Sequence, residues 1–548
     1  MNLTGCVKLP LAAPVARSLR SPPSRLAFHV HQRHLLRPYR TLARKNGLAF
    51  VPKATSTLEQ TQELGQSAAV EPLNWTKQWY PVHAVVDLDP ARPHAVNLLG
   101  KELVVWNDGQ QWRCFEDLCP HRKVPLSEGR VEAGKLECAY HGWKFDSAGK
   151  TVSIPQVSDK DAEARASNNK RSCCTTFPTQ EQQGLIWVWP ESSPSAYLES
   201  AVQELALCPE YQQHEDGWAW TFEYFVRDVP GSFEFWMENM MDQSHVPHAH
   251  SEVAVKTRHF SPETELFQFL GWDPRENQPQ KGFAMDYKVT FSPKGLSGQQ
   301  LEFRPPALCR FTVPTTSTSG FALWIYAVPT TSNTTRLIIS AGFNPSLASV
   351  KQPDAKLDLA AVKQTVTRAL LSLRPRWVGH MALNGITDGD ITFMHRQSSF
   401  AKQAQDKRPL SNYFLPSPSD KGVSIWHRWI ETKGGGGPKY ADNAPPQTFK
   451  TALGTLDRAA LLDRASHVRN CTACTKAVEQ IKALQQGAVV ASVASVLLTA
   501  ALLGKGSDAV SVPVISSLLL AAGCSVAGLK LQELQKHFGF LDWQHSEH

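Results

Sequence analysis

Cys119-Pro120-His121-Arg122 and Cys138-Ala139-Tyr140-His141-Gly142-Trp143 decide how the rest of the chain is read. Written as ligands they are C-x-H and C-x-x-H, with sixteen residues between His121 and Cys138. Each short loop delivers one thiolate and one imidazole. That donor set suits a [2Fe-2S] cluster with two Cys on one iron and two His on the other, which raises the potential above that of an all-Cys cluster. Zinc is the competing reading, because mixed Cys and His pairs also build structural Zn sites. Finger-type sites keep like ligands together, however, whereas each loop here mixes them. Pro120 stiffens the first loop, Gly129 and Gly134 break the segment between the loops, and Gly142-Trp143-Lys144-Phe145 supplies a close turn followed by apolar cover.

Around these loops the pattern is that of short strands. Trp79 to Val82, Val96 to Leu99, Leu103 to Trp106, Gln111 to Phe115 and Gly184 to Pro190 read as β, with a strong turn at Asn107-Asp108-Gly109. They predict a small all-β domain over residues 75–190 with both ligand loops at one end. A second unit over 191–450 begins with alternation at Trp218, Trp220, Phe222, Tyr224 and Val226, which predicts a half-buried strand. Phe233, Trp236, Met237 and Met240 then recur at helical spacing. Runs at 283–290, 320–328 and 335–341 predict further strands, 352–376 a helix, and 423–431 another strand. The fold class is α+β: a small all-β domain plus a larger domain of antiparallel sheet with helices. Gly434 to Gly437 lacks the Lys-Ser/Thr context of a phosphate loop, and no dinucleotide fingerprint is present.

The chain has 548 residues, room for three or four domain-sized pieces, and a formal charge of +7. Ten Lys or Arg precede the first acidic residue, Glu59, so the basic balance belongs to the leader and gives no support for nucleic-acid binding. Residues 1–58 are Arg-rich and acid-free and read as an organellar transit peptide, with 59–74 a linker. Composition alone does not separate chloroplast from mitochondrion. Eleven cysteines in a chain of this length are no disulfide scaffold. Cys471-Thr472-Ala473-Cys474, within a helical segment 451–486, is a lone C-x-x-C that is either structural or a redox pair.

A second ligand cluster follows the apolar helix: Glu238-Asn239-Met240-Met241-Asp242-Gln243-Ser244-His245-Val246-Pro247-His248-Ala249-His250. Two His and one carboxylate hold a mononuclear non-heme Fe(II) with one face open to dioxygen. His245 and His250 are the expected pair, converging if Pro247 ends or distorts the helix, with His248 as local competitor. The carboxylate must come from elsewhere, and Asp388-Gly389-Asp390 offers two candidates. Asp242, one turn before His245, could accept a proton from an imidazole.

Near the C-terminus, 487–504 and 509–529 are uncharged stretches separated by Lys505-Gly506-Ser507-Asp508. Their lengths approach or reach that of a bilayer core, and they predict a membrane hairpin over 487–529 whose small residues allow close contact, followed by a tail over 530–548. A pair of buried helices is the alternative.

On these residues the chain resembles the Rieske non-heme iron oxygenases. Within them it is similar to the plastid branch of pheophorbide a oxygenase, the protochlorophyllide-dependent translocon component and the Tic55-like phyllobilin hydroxylases. The features that carry the resemblance are the two loops, Trp79-Tyr80-Pro81-Val82, the series Asn239, Asp242, His245 and His250, and the C-x-x-C followed by a hydrophobic hairpin and the aromatic end Phe538 to His545. The resemblance implies a [2Fe-2S] cluster on Cys119, His121, Cys138 and His141, and one Fe(II) on His245, His250 and Asp390, with Asp388 the alternative. It gives Asn239 and Asp242 catalytic roles, Asp242 being the acid that bridges a cluster histidine of one subunit to a catalytic histidine of its neighbour in a homotrimer. It further implies reduced ferredoxin or a similar donor, dioxygen, a plastid membrane (thylakoid or inner envelope, soluble domains facing the stroma) and a possible thioredoxin partner for Cys471 and Cys474. The implied activity is mono- or dioxygenation of a hydrophobic tetrapyrrole, pheophorbide a first, with chlorophyllide, protochlorophyllide or a phyllobilin as alternatives. A non-catalytic electron-transfer or import-associated component is the reading from another class, and a sterol or aromatic amine substrate is a third.

Overall fold

A computed structural model describes residues 71–212, 219–250, 267–275, 278, 281–289, 298–316, 319–344, 374–403, 412–441 and 457–541. The leader, the expected helix up to 373 and the final aromatic residues Trp543 and His545 lie outside the described residues.

The N-terminal part is mainly β, as the short runs predict, with one two-turn helix, Lys160–Ser167, that the sequence reading did not foresee. Tyr80–Ala84, Leu185–Val188 and Thr179–Gln182 form one antiparallel sheet. His94–Leu98, Lys101–Asn107, Trp112–Glu116 and Thr176–Phe177 form a second. A third, Arg130–Glu132, Lys135–Glu137, Lys144–Phe145 and Thr151–Ser153, grows from the segment between and after the two ligand loops. Gly109 turns the hairpin at positive φ while its N–H donates to Asn107 Oδ1. Leu126, Leu136, Phe145, Trp106 and Phe115 make a local apolar core under the loops that also takes in Cys119 and Cys138.

The larger part is a seven-stranded antiparallel sheet. Six strands run in sequence order as a meander from Phe267–Asp273 to Thr334–Asn344, and the first strand, Ala219–Pro230, returns to pair with the last. Such a closure needs only hairpins and one long connection. Helix Phe233–Met241 follows that first strand directly and buries Phe233, Trp236, Met237 and Met241. Phe303 of the sheet meets Trp426 and Trp429 edge-on, with ring centroids 5.3 and 4.9 Å apart, an arrangement aromatic pairs favour. Leu73 and Trp75 join this core, and Trp75 Nε1 donates to Gly434 O at 2.7 Å, so the chain enters the larger part before it builds the smaller one.

Residues 423–431 correct the sequence expectation. They lie in a helix, Lys421–Thr432, and not in a strand. Val423, Ile425 and Trp429 mimic alternation, but Val423, Trp426, His427 and Ile430 fall at helical spacing and all are buried. A capping box just upstream, in which Ser417 and Asp420 exchange side-chain and backbone hydrogen bonds, sets the helical start.

The C-terminal hairpin is present, with helices longer than its uncharged stretches. Thr472–Gly504 and Val512–Lys536 pack along each other, joined by Ser492 Oγ to Ser525 Oγ at 2.8 Å and Thr499 Oγ1 to Ser517 Oγ at 2.7 Å. Leu484, Val490, Leu497, Leu519, Val526 and Leu529 point outward and exposed. Both helices are long and apolar enough to cross a membrane.

Candidate metal centres

The two ligand loops share one construction. Cys119 N–H donates to Val124 O while its carbonyl accepts from Lys123, and Cys138 N–H donates to Trp143 O while its carbonyl accepts from Gly142. Gly142 adopts φ +71°, a left-handed conformation that costs glycine nothing. Both sulfurs are buried, whereas His121 is exposed and His141 half-buried. The two rings lie 4.6 Å apart and His121 stacks on Trp143 at 4.7 Å. The loops therefore fit a cluster with its thiolate side inward and its imidazole side at the surface. Burial first, and neighbouring Cys138, push the Cys119 thiol up to about 11, so the thiolate forms only when a metal displaces the proton.

His245, His250 and Asp390 converge, their donor atoms all within 4.8 Å of one another. Helix Phe233–Met241 ends at Asp242, which turns to φ −90° and ψ 107° and accepts from the N–H and Oγ of Ser244. The break therefore comes at Asp242 and not at Pro247, which instead sits in the first turn of a separate one-turn helix, Val246–Ala249. His245 and His250 occupy the two ends of that turn, rings 5.4 Å apart, while His248 points to solvent. His245 Nδ1 donates to Asp242 O at 2.7 Å, which leaves Nε2 free to coordinate.

Asp390 comes from the long helix Arg376–Gln403. Its Oδ1 lies 3.3 Å from His250 Nε2 and 3.6 Å from His245 Nε2, and it accepts from Asn239 Nδ2 at 3.3 Å. Donors about 2.1 Å from an octahedral ion would stand about 3 Å apart, so the triad fits a small divalent metal with modest closure. Asp388 faces the other way, since two residues on a helix are about 200° apart around its axis. It is fully buried, with Arg464 Nε donating at 2.8 Å and Nη2 at 2.7 Å, and Arg227 Nη1 2.7 Å from its other oxygen. Gly389 lies between them, where a Cβ would stand 3.0 Å from His250 Nδ1 and 3.1 Å from Ala249 O. Glycine lets the long helix close on the histidine turn.

A cavity of about 110 Å³ lies beside the triad, lined by Glu238, Asn239, Asp242, His245, Asp390 and Phe393 among others. That space admits dioxygen or a few waters. Glu238, which sequence reasoning passed over, accepts from Gln397 Nε2 at 2.7 Å and sits 2.6 Å from His427 Nε2. Its partners lie too far along the chain to be read from local spacing.

Comparison with known proteins follows this division. Residues 78–177 match the family described as Rieske [2Fe-2S] domain, and residues 303–408 that described as pheophorbide a oxygenase. The first span contains both cysteine-histidine loops; the second contains Asp390. Pheophorbide a oxygenase of Arabidopsis thaliana is 30% identical over 519 residues, covering 91% of this chain and 89% of that protein. The chain belongs to the plastid pheophorbide a oxygenase and TIC 55-like branch of the Rieske oxygenases. Another relative is flavonoid 8-hydroxylase 2 of Ocimum basilicum, 30% identical over 439 residues and 78% of each chain. Protochlorophyllide-dependent translocon component 52 of Arabidopsis thaliana is 28% identical over 459 residues and 75% of each chain. This Rieske oxygenase carries a [2Fe-2S] site and a mononuclear non-heme Fe(II) site. Family membership implies a ferredoxin-type electron donor, and the chloroplast relatives together with the two apolar helices support a soluble catalytic part at a chloroplast membrane.

Proposed function

We propose that this oxygenase inserts oxygen from dioxygen into a chlorophyll-derived tetrapyrrole, with pheophorbide a as the first candidate and chlorophyllide, protochlorophyllide or a phyllobilin as alternatives within the class. The observation that carries an enzymatic reading over a non-catalytic carrier is the convergence of His245, His250 and Asp390 beside a cavity, on a chain that also holds the cluster loops. The pheophorbide a oxygenase match over the very segment that supplies Asp390 supports the substrate class. The apolar hairpin suits a pigment that partitions into lipid.

In this reading Cys119, His121, Cys138 and His141 hold the cluster, and His245, His250 and Asp390 hold the Fe(II). When bound, the cluster supplies single electrons and the mononuclear iron supplies dioxygen activation. The chain's own contribution is orientation. The Asp242 carbonyl fixes the His245 tautomer, and Asn239 holds the Asp390 carboxylate. The Asp242 carboxylate keeps 29% of its surface exposed, so it can meet a cluster imidazole of a neighbouring subunit in a homotrimer. The exposed His121 and half-buried His141 offer the matching donors. The domain limits are those read from sequence, except that Leu73 and Trp75 pack into the larger part, and the soluble parts lie on the stromal side of a thylakoid or inner envelope membrane. A thioredoxin partner is not carried into this reading, because Cys471 and Cys474 are both buried.

The test is anaerobic purification and iron counting. Assay then follows with reduced ferredoxin and ¹⁸O₂ against pheophorbide a, chlorophyllide a, protochlorophyllide, a phyllobilin and a flavone. The expected result is ¹⁸O in the pheophorbide product. Labelled flavone with unlabelled tetrapyrroles would support flavonoid hydroxylation instead, the activity in the name of the Ocimum basilicum relative. A protein with cluster iron alone would support the carrier.

A further inference from the structure

We propose that His380, His467, Cys471 and Cys474 form a third metal site, one that holds a single zinc ion and joins the iron-bearing helix to the membrane hairpin. The four donors lie within 4.8 Å of one another, and all four residues are at most 1% exposed. His380 Nδ1 stands 3.4 Å from Cys471 Sγ and 3.5 Å from Cys474 Sγ, and His467 Nε2 stands 3.3 Å from Cys474 Sγ. In a tetrahedral site with Zn–S about 2.3 Å and Zn–N about 2.05 Å, sulfur and nitrogen would be about 3.6 Å apart. The observed separations need a few tenths of an ångström of expansion to admit the ion.

These short distances also select the kind of metal. A [2Fe-2S] cluster with imidazoles on one iron and thiolates on the other places the two donor types on different metals, too far apart for contacts of 3.3 to 3.5 Å. Two sulfurs and two nitrogens around one small centre are a zinc-type set. Two thiolates cancel the dication, so the loaded site is neutral, which its full burial requires.

The surrounding hydrogen bonds prepare the donors. His467 Nδ1 donates to Val226 O at 2.7 Å, so its Nε2 lone pair faces Cys474. His380 Nε2 is buried without a hydrogen-bond partner among the described residues, and the polar contacts that ring makes there run from Nδ1 to the two sulfurs. A redox dithiol needs an accessible attacking thiol, and neither sulfur is accessible.

The placement gives the ion a mechanical role. His380 lies on the helix that carries Asp390, ten residues or about 15 Å along it, while Cys471 and Cys474 open the first hairpin helix. A bound ion would brace the hairpin against the helix that supplies the iron carboxylate. The Arg464 contact to Asp388 braces the same junction.

The experiment uses the full chain in detergent micelles, expressed with zinc and iron supplied together. Elemental analysis should give about one zinc beside about three irons per chain. Zinc K-edge absorption should show two sulfurs near about 2.3 Å and two nitrogens near about 2.0 Å. Cys474→Ser and His467→Ala should each lose at least about ninety per cent of the zinc while keeping the Rieske electron paramagnetic resonance signal. Three results would overturn the site: wild-type protein without zinc, an oxygen-only zinc shell, or a Cys471–Cys474 disulfide in protein isolated under argon. The wild-type measurements decide the matter even if a variant fails to fold.

Discussion

Asp388→Asn and Asp390→Asn differ by two residues and should fail in opposite ways. Asp388 is fully buried between Arg227 and Arg464, with three nitrogens of the two guanidinium groups within 2.8 Å of its oxygens. Asparagine keeps the shape and removes the charge, leaving two buried guanidinium groups facing each other across a neutral amide. Removing one partner of a buried pair costs about 3 to 5 kcal/mol, and here two cations depend on one anion, so the upper end applies. At about 2 to 4 °C per kcal/mol for a domain of this size, the melting temperature should fall by about 10 to 20 °C. Asp390 has two imidazoles and an amide for neighbours, and its neutralisation should leave the melting temperature within about 2 °C. Both variants are compared with wild type after chelation of the mononuclear iron, because bound metal would itself shift the transition. On adding Fe(II) back below the transition, Asp388→Asn should recover about one mononuclear iron and Asp390→Asn essentially none. A melting temperature equal to wild type for Asp388→Asn, together with lost iron, would refute the division of labour.

Gly389→Ala adds a methyl that an exposed helix would welcome, but here it stands 3.0 Å from His250 Nδ1. Fe(II) titration should show affinity weakened about tenfold or more, and unchanged affinity would mean that the long helix can withdraw freely. Asp242→Asn should keep both irons yet slow single-turnover electron delivery severely; a wild-type rate in rapid-mixing spectroscopy would reject the bridge between subunits. His83 is buried beside Arg336, and burial first, then that charge, lower its pKa to about 3. The unfolded chain takes up the proton below about 6.5 and the folded one resists until about 3. Stability is therefore fully present above about pH 6.5 and falls as the pH drops through that window, by about 2 kcal/mol at pH 5. His83→Gln should flatten the acid limb of melting temperature against pH, and an unaltered limb would place the acid sensitivity elsewhere.

Where chemistry is carried by neighbours in the chain, the sequence alone determined it. Cys119 with His121, and Cys138 with His141, are each close enough that their loops bring them together by local hydrogen bonding. His245 and His250 are ends of one helical turn, and the hairpin is announced by the length of its apolar stretches. Apolar and alternating runs likewise foretold nine of the eighteen strands among the described residues, because a half-buried strand alternates. That rule failed at Val423 to Glu431, where apolar residues satisfied both periods and a capping box upstream selected the helix. Only the tertiary structure decided which aspartate faces the histidines, since the rotation of one long helix turns Asp390 inward and Asp388 toward two arginines. Only it gathered His380 and His467 around Cys471 and Cys474. Ligands that meet across a fold leave no spacing in the chain, because the packing of whole elements, and not the reach of a loop, sets the distance between them.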